Sequence, residues 1–420
     1  MQLLHLSKPD RSLRSDIALD GSKSISNRAL IVLALAGADP AAWLSNLSTS
    51  KDTVTLHRLL TQPGDLFDAG DAGTTFRFLT AYLALQPGTQ ILTGSARMRE
   101  RPVGGLVLAL RELGADILFL EKEGYPPLQI GEMQQSGQAQ RPVVRIAANT
   151  SSQFLSALFL IGPYLSNGLT LVPEGELVSR PYLDMTLKLM QYFGATADWQ
   201  DDRIEVEPGG YQPRSFTVEA DWSAASYWYA MATFSDNLDL RLGGLFADSW
   251  QGDSVLAKMM QTFGIQTVFE KNGIHLTQTG RAPKPLFEQD FLECPDIAQT
   301  LAVVCGGLGV QGLFSGLETL SIKETDRVAA LKTELAKVGV SFAKLPPNFS
   351  KKSPGKTFFS VEGQAAWATT PQFATYGDHR MAMAFAPLAM IQPITIEHPE
   401  VVSKSYPAFW EDLKKAGYDF

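Results

Sequence analysis

Residues 152–165 read SQFLSALFLIGPYL, and residues 183–194 read LDMTLKLMQYFG. The first segment is apolar on nearly every side of a helix, so a helix there must be buried on every side. The second carries apolar residues at helical spacing with polar residues between them, and it ends at Gly194, a residue type that caps helices in the left-handed conformation. This pair of helix types recurs six times along the chain. The all-round apolar member occurs at 26–37, 74–85, 152–165, 224–234, 296–307 and 379–390. The amphipathic member occurs at 53–64, 103–114, 183–194, 254–264, 327–339 and 408–417, closing on Gly64, Gly114, Gly194, Gly264, Gly339 and Gly417. Short strand candidates lie between the helices, such as 143–146, 169–172, 204–206 and 394–396. Six alternations in one order make a chance Leu/Gly rhythm a weak explanation, and the chain reads as six copies of one strand–helix unit.

Three copies precede about residue 218 and three follow about residue 221. The expected fold class is α/β, with two domains in which sheets wrap a bundle of three buried helices. One domain takes residues 1–20 plus 219–420 and the other 21–218. The crossings near 19–21 and 218–221 form a two-strand hinge, with the active site in the cleft between the domains. A chain of 420 residues is long enough for two cores.

The composition is that of a globular protein, 45% hydrophobic and 19% charged, with a formal net charge of −8. That balance excludes a global basic footprint for nucleic acid. Cys294 and Cys305 belong to no CxxC or Cys/His cluster, so neither a disulfide framework nor a zinc site is expected. The opening MQLLHLSKPDRSLRS has no secretory apolar core, and no apolar run approaches a membrane span. A cytoplasmic protein is expected.

Basic residues gather where helices begin. Lys23, Arg28, Arg77, Arg99, Arg101, Arg180, Lys323, Arg327, Arg380 and Lys404 all lie within about a turn or so of a helix start. The helix dipole makes a cation there unfavourable by about 0.3–1 kcal/mol. For any single residue a solvated surface charge is the default reading. For the set, convergent cations and free N–H groups point to small anionic ligands. In residues 322–327, IKETDR, the i,i+4 spacing predicts that Lys323 and Arg327 share a helix face beside Glu324 and Asp326. Such a group can grip a phosphate and offer a carboxylate for proton transfer. Taken alone, an ordinary ion-paired first turn, with Glu and Asp favoured by the dipole, is the better explanation.

Other motifs carry nothing. GLGVQG at 307–312 matches GxGxxG, but a helix precedes it and a strand-like run follows, the reverse of a dinucleotide site. GSKS at 21–24 lacks the GK pair of a phosphate loop. There is no GxSxG nucleophile elbow. Lys351 and Lys352 read as a solvated loop tip.

Together, LDGSKSISNRAL, DAGTTFRF, RMRERP, NTSSQFLSAL, VSRPYLDMTL, CPDIAQT, IKETDR, YGDHRMAMAF and VVSKSYP stand in the order seen in the 5-enolpyruvylshikimate-3-phosphate synthase family. The resemblance covers nearly the whole chain. It implies two inverse α/β domains of three repeats each. It also implies transfer of an enolpyruvyl group from phosphoenolpyruvate to shikimate-3-phosphate, with no metal or redox cofactor, no nucleic acid or membrane partner, and a monomer. Carried over residue by residue, Lys23 reaches both ligands. Ser24, Arg28, Ser151, Ser152, Gln153, Ser179, Tyr182, Asp296, Thr319 and Lys323 contact shikimate-3-phosphate. Gly73, Arg101, Gln153, Arg327, Arg380 and Lys404 line the phosphoenolpyruvate site. Asp296 resembles the base at the ring hydroxyl and Glu324 the second proton carrier, with Lys23 as a third catalytic group. The chain departs from the family at Asp71 and Thr319, where Asn is frequent, and at Phe78, where Pro is frequent.

Three rivals stay open on sequence alone. Enolpyruvyl transfer to a UDP-N-acetylglucosamine-type substrate calls for a reactive Cys in the N-terminal half, whereas both cysteines here lie in the C-terminal half. A non-catalytic phospho-ligand sensor on this scaffold is expected to lose Asp296 or Glu324, and both are present. An RNA-end-processing enzyme of similar repeats is disfavoured by the acidic charge balance.

Overall fold

The computed structural model describes residues 2–62, 64–134, 140–147, 151–175, 177–347, 349 and 355–420. Lys351, Lys352, Asn149 and Thr150 lie outside the described residues. The chain divides into two compact units, Met1–Asp20 with Glu219–Phe420, and Gly21–Val218. The first is discontinuous because the N-terminal strands pair with later ones. Ser12–Ala18 runs parallel to Asn237–Gly243, and Leu3–Leu6 runs antiparallel to Ile394–Glu397.

In the unit of Gly21–Val218, the three all-round apolar segments form the buried helices Lys23–Leu35, Gly73–Leu83 and Ser152–Ile161. They pack on one another, and the amphipathic helices Lys51–Thr61, Gly104–Glu112 and Arg180–Tyr192 pack beside them. Two four-stranded sheets belong to this unit. One orders Leu66–Asp68, Thr89–Thr93, Leu128–Gly131 and Ile117–Phe119. The other orders Ala197–Gln200, Arg203–Val206, Leu169–Glu174 and Val143–Ala147, so the strand candidates at 143, 169 and 204 fall in one sheet.

The other unit repeats the plan. Its buried helices are Trp222–Phe234, Ala298–Leu308 and His379–Phe385, the last continued by the 3-10 turn Ala386–Met390. Trp222, Tyr227, Trp228 and Tyr229 all lie within the core, where burial of each large apolar side chain contributes about 1.5–3 kcal/mol. Four-stranded sheets are built on Asn237–Gly243 and Gln311–Ser315, and a three-stranded sheet on Ile394–Glu397. Gln311–Ser315 follows the helix of the GLGVQG match, the order that rules out a dinucleotide loop.

The six closing glycines all adopt positive φ, from 78° at Gly339 to 127° at Gly64, where a Cβ would be strained. One sequence expectation, a single amphipathic helix over 254–264, needs correction. Residues 252–263 are not one amphipathic helix but a 3-10 turn, one short α turn and another 3-10 turn. Near the two crossings, Asp221 N donates to Asp20 O and Val218 N to Ser45 O.

Candidate active site

Each unit collects charged and hydroxyl side chains at the N-terminal ends of its buried helices. In the unit of Glu219–Phe420 the centre is Arg327, first residue of the helix Arg327–Ala336. Its Nε donates to Asp378 Oδ2 at 2.7 Å, Nη1 to Asp296 Oδ1 at 3.1 Å and Nη2 to Glu324 Oε2 at 3.0 Å. One guanidinium thus holds three carboxylates. Burial works against its charge, but Asp378, Glu324 and Asp296 outweigh burial and lift the guanidinium above its usual range.

Two of those carboxylates are shared with second cations. Asp296, in the 3-10 turn Pro295–Ile297, lies 3.1 Å from Arg380 Nη2 and 3.9 Å from Lys323 Nζ. Glu324 Oε1 lies 3.1 Å from Lys404 Nζ. The third carboxylate, Asp378, is the N-cap of His379–Phe385, accepting from Arg380 N at 2.8 Å, so it fixes both arginines from one position. Arg380 also meets Tyr227 Oη and Ser223 Oγ, each at 3.4 Å. Burial pushes the Tyr227 phenol up to about 12. Burial also lowers the Lys323 amine, with Asp296 opposing.

The i,i+4 face expected for Lys323 and Arg327 does not form. Asp326 caps the helix by accepting from Ala329 N at 3.0 Å, so the helix starts at Arg327 and Lys323 is left in extended backbone. Lys323 and Arg327 nevertheless meet at Asp296, through the loop rather than along a helix. Thr319 lies in the preceding 3-10 turn, with Oγ1 buried and no hydrogen-bond partner among the described residues.

In the unit of Gly21–Val218, Lys23 opens its helix and its Nζ lies 3.3 Å from Asp52 Oδ2. Arg28 is buried between helices. Its Nε donates to Thr186 Oγ1 at 2.7 Å, Nη1 to Ser24 O at 2.8 Å, and Nη2 to Ser156 Oγ at 3.1 Å and Tyr182 O at 3.4 Å. Among the described residues no carboxylate pairs with it, and burial lowers its pKa to about 10.

Gly73 opens the second buried helix against two guanidinium groups. A Cβ there would lie 2.5 Å from Arg101 Nη1 and 2.8 Å from Arg77 Nη1. Next to it, Thr74 Oγ1 accepts from Gln153 Nε2 at 2.9 Å. Ser151 caps the third buried helix by accepting from Gln153 N, and Ser152 is its first residue. Ser179 stands at φ 60°, ψ 41° before Arg180–Tyr192, a left-handed position held by a non-glycine residue at a helix start.

Two of the ten basic residues stand apart from these clusters. Arg180 is half-exposed, 3.8 Å from Asp184, with its guanidinium over Trp199, and Arg99 pairs at the surface with Glu121. For these two the solvated-surface reading holds. Asp52, Asp378, Ser223 and Tyr227 were not singled out from the sequence. Asp52 and Asp378 stand at helix starts, where an acidic residue needs no other explanation than capping or the dipole, so nothing marks them as partners of Lys23 and Arg327. Cys294 and Cys305 are buried, and burial pushes both thiols up, which keeps them protonated at neutral pH.

The EPSP synthase (3-phosphoshikimate 1-carboxyvinyltransferase) family model matches residues 49–413. The chain is 46% identical to the 3-phosphoshikimate 1-carboxyvinyltransferase of Bacteroides fragilis over 98% of its own length and 97% of that protein. It is 35% identical to that of Neisseria meningitidis serogroup B over 94% of each. In fold it is similar to an EPSP synthase structure from Acinetobacter baumannii, with a TM-score of 0.78 at 19% identity, covering 100% of this chain and 99% of that one. On the family match and the full-length relatives together, the chain belongs to the EPSP synthase family.

Proposed function

We propose that the chain transfers the enolpyruvyl group of phosphoenolpyruvate to the 5-hydroxyl of shikimate-3-phosphate, releasing inorganic phosphate on the route to aromatic amino acids. The observation that carries the residue assignment is that Asp296 and Glu324 both bind Arg327, while Arg380 holds the first and Lys404 the second. The reaction needs two proton carriers. The ring hydroxyl must lose a proton as it attacks, and the enol CH2 must gain one. The tetrahedral adduct then loses a proton from the methyl carbon and expels phosphate. We assign Asp296 to the hydroxyl and Glu324 to the CH2/CH3 carbon, each worth about 10²–10⁴-fold in rate.

Two multiply anionic substrates repel each other, and fixed cations offset that repulsion. Shikimate-3-phosphate is assigned Lys23, Ser24, Arg28, Ser151, Ser152, Gln153, Ser179, Tyr182, Asp296, Thr319 and Lys323. Phosphoenolpyruvate is assigned Lys23, Gly73, Arg101, Gln153, Arg327, Arg380 and Lys404. Lys23, anchored by Asp52, serves both. Arg327 already has three carboxylates, so on this reading an incoming carboxylate or phosphate competes for its N–H groups and loosens Asp296 and Glu324 for proton transfer. A monomer acting in the cytoplasm completes the proposal. Against the UDP-sugar alternative, which calls for a reactive Cys in the N-terminal half, both thiols lie in the C-terminal half and burial pushes both up.

The test is Asp296→Asn and Glu324→Gln, assayed for turnover and for shikimate-3-phosphate binding by calorimetry. Each is expected to lower kcat by about 10²–10⁴-fold while binding persists. Full turnover in either variant removes the role given to that residue.

A further inference from the structure

Behind the Asp296–Arg380 pair lies another carboxyl group, Asp253, in the 3-10 turn Gly252–Val255. It is buried. Its Oδ2 accepts the Ser223 hydroxyl at 2.5 Å, while Oδ1 is buried with no hydrogen-bond partner among the described residues. Ser223 Oγ lies 3.4 Å from Arg380 Nη2, and the same nitrogen lies 3.1 Å from Asp296 Oδ2. An ionised carboxylate only accepts hydrogen bonds, and a guanidinium only donates them. With Asp253 ionised, the Ser223 hydrogen must therefore point at Asp253, and the Ser223 lone pairs must face Arg380. The directions along the whole chain are then fixed, from Arg380 to Ser223 to Asp253, with Asp296 on the other side of the same Arg380 nitrogen.

We propose that Asp253 is a positioning residue that sets the guanidinium of Arg380 through the Ser223 hydroxyl, and with it the carboxylate of Asp296. This rests on the assignment of Asp296 as the proton acceptor. A buried carboxyl with one oxygen unbonded is costly to keep ionised, so its retention in the core calls for a compensating use. Its surroundings supply one. Ser223 and Asp221 face it from the start of the first buried helix, Asp296 and Cys294 from the turn before the second, and Arg380 from the third. Burial first, and the Asp296 charge second, hold the Asp253 proton up to about 7, with Ser223 and Arg380 opposing. When the proton is on, Asp253 can donate as well as accept, and the direction of the Ser223 hydroxyl is no longer imposed. Arg380 and Asp296 are then less firmly set.

Asp253→Asn keeps the shape and an acceptor but never carries the charge. In the phosphate-release assay at pH 8 the variant is expected to show kcat lower by about 10-fold, with both KM values changed by less than about threefold. The wild-type kcat should rise through a limb near 7, the Asp253 ionisation, and the variant should lack that limb, so the two profiles converge near pH 5.5. Ser223→Ala cuts the same link without touching a charge and should also flatten the limb. Should Asp253→Asn fold poorly, the Ser223→Ala profile decides on its own. A wild-type kcat at pH 8 in Asp253→Asn, or a uniform loss that leaves the limb in place in either variant, overturns the proposal. Asp296→Asn in the same assay separates the two levels. If it keeps turnover, the parent assignment fails. If it is inactive while Asp253→Asn matches wild type, only the role of Asp253 fails.

Discussion

Arg28 and Arg327 are both almost fully buried, yet their surroundings are opposite. Arg327 is ringed by Asp296, Glu324 and Asp378, two of them shared with Arg380, Lys323 and Lys404, so its charge is met by opposite charge on every side. Arg28 is held by the hydroxyls of Thr186 and Ser156 and the carbonyls of Ser24 and Tyr182, all neutral. Neutral oxygens satisfy N–H groups but do not cancel a charge, which is why burial depresses Arg28 while Arg327 is lifted. Arg28 remains charged at neutral pH, since about 10 is still well above it. The contrast separates two tasks. On the roles proposed above, the acids assigned to proton transfer rest on cations, and the arginine assigned to shikimate-3-phosphate keeps its positive charge uncancelled.

The sharpest way to break that contrast is Arg327→Ala. It leaves Asp378 buried with no guanidinium and releases Asp296 and Glu324. Urea unfolding should show a loss of about 3–5 kcal/mol, and turnover should vanish. A variant of native stability would mean that the three ion pairs contribute nothing net. Arg28→Met should behave differently. No carboxylate is orphaned, and Ser156 and Thr186, already 3.0 Å apart, can bond each other. Stability is expected to stay within about 1 kcal/mol, while KM for shikimate-3-phosphate rises about 100-fold through loss of charge-assisted bonds. A large loss of stability with an unchanged KM would make Arg28 a strut rather than a ligand residue. The smallest effect is expected at Gly73→Ala. The new Cβ would meet Arg101 Nη1 at 2.5 Å, and a displaced guanidinium should raise KM for phosphoenolpyruvate about 10-fold with little change for shikimate-3-phosphate. Equal increases for both substrates would contradict the separate assignments of Arg101 and Arg28.

The rhythm of two helix types made the architecture readable, because an all-round apolar helix such as Ser152–Ile161 has nowhere to go but a core. Strand positions followed from what lay between helices. The run at 254–264 is less regular than its apolar spacing implies, since a 3.6-residue pattern over so short a run does not distinguish α turns from 3-10 turns. The acids and cations around Arg327 were visible as residue types, but their geometry was not. Asp326 looked like part of a catalytic turn and is a cap; Asp378 looked like a cap and is also the main counter-charge of Arg327. An Asp at a helix start reads the same in both roles, and only the position of distant Arg327 tells them apart. Asp253 carried no local signal at all, because its partners Ser223, Asp296 and Arg380 come from three other places in the chain.

The most direct measurement is inorganic phosphate release by the purified protein with phosphoenolpyruvate and shikimate-3-phosphate together, set beside phosphoenolpyruvate with a UDP-N-acetylglucosamine acceptor. Release of one phosphate per enolpyruvyl ether formed, with the first acceptor only, is the predicted result. Release with the UDP-sugar instead, or none with either, would contradict the account.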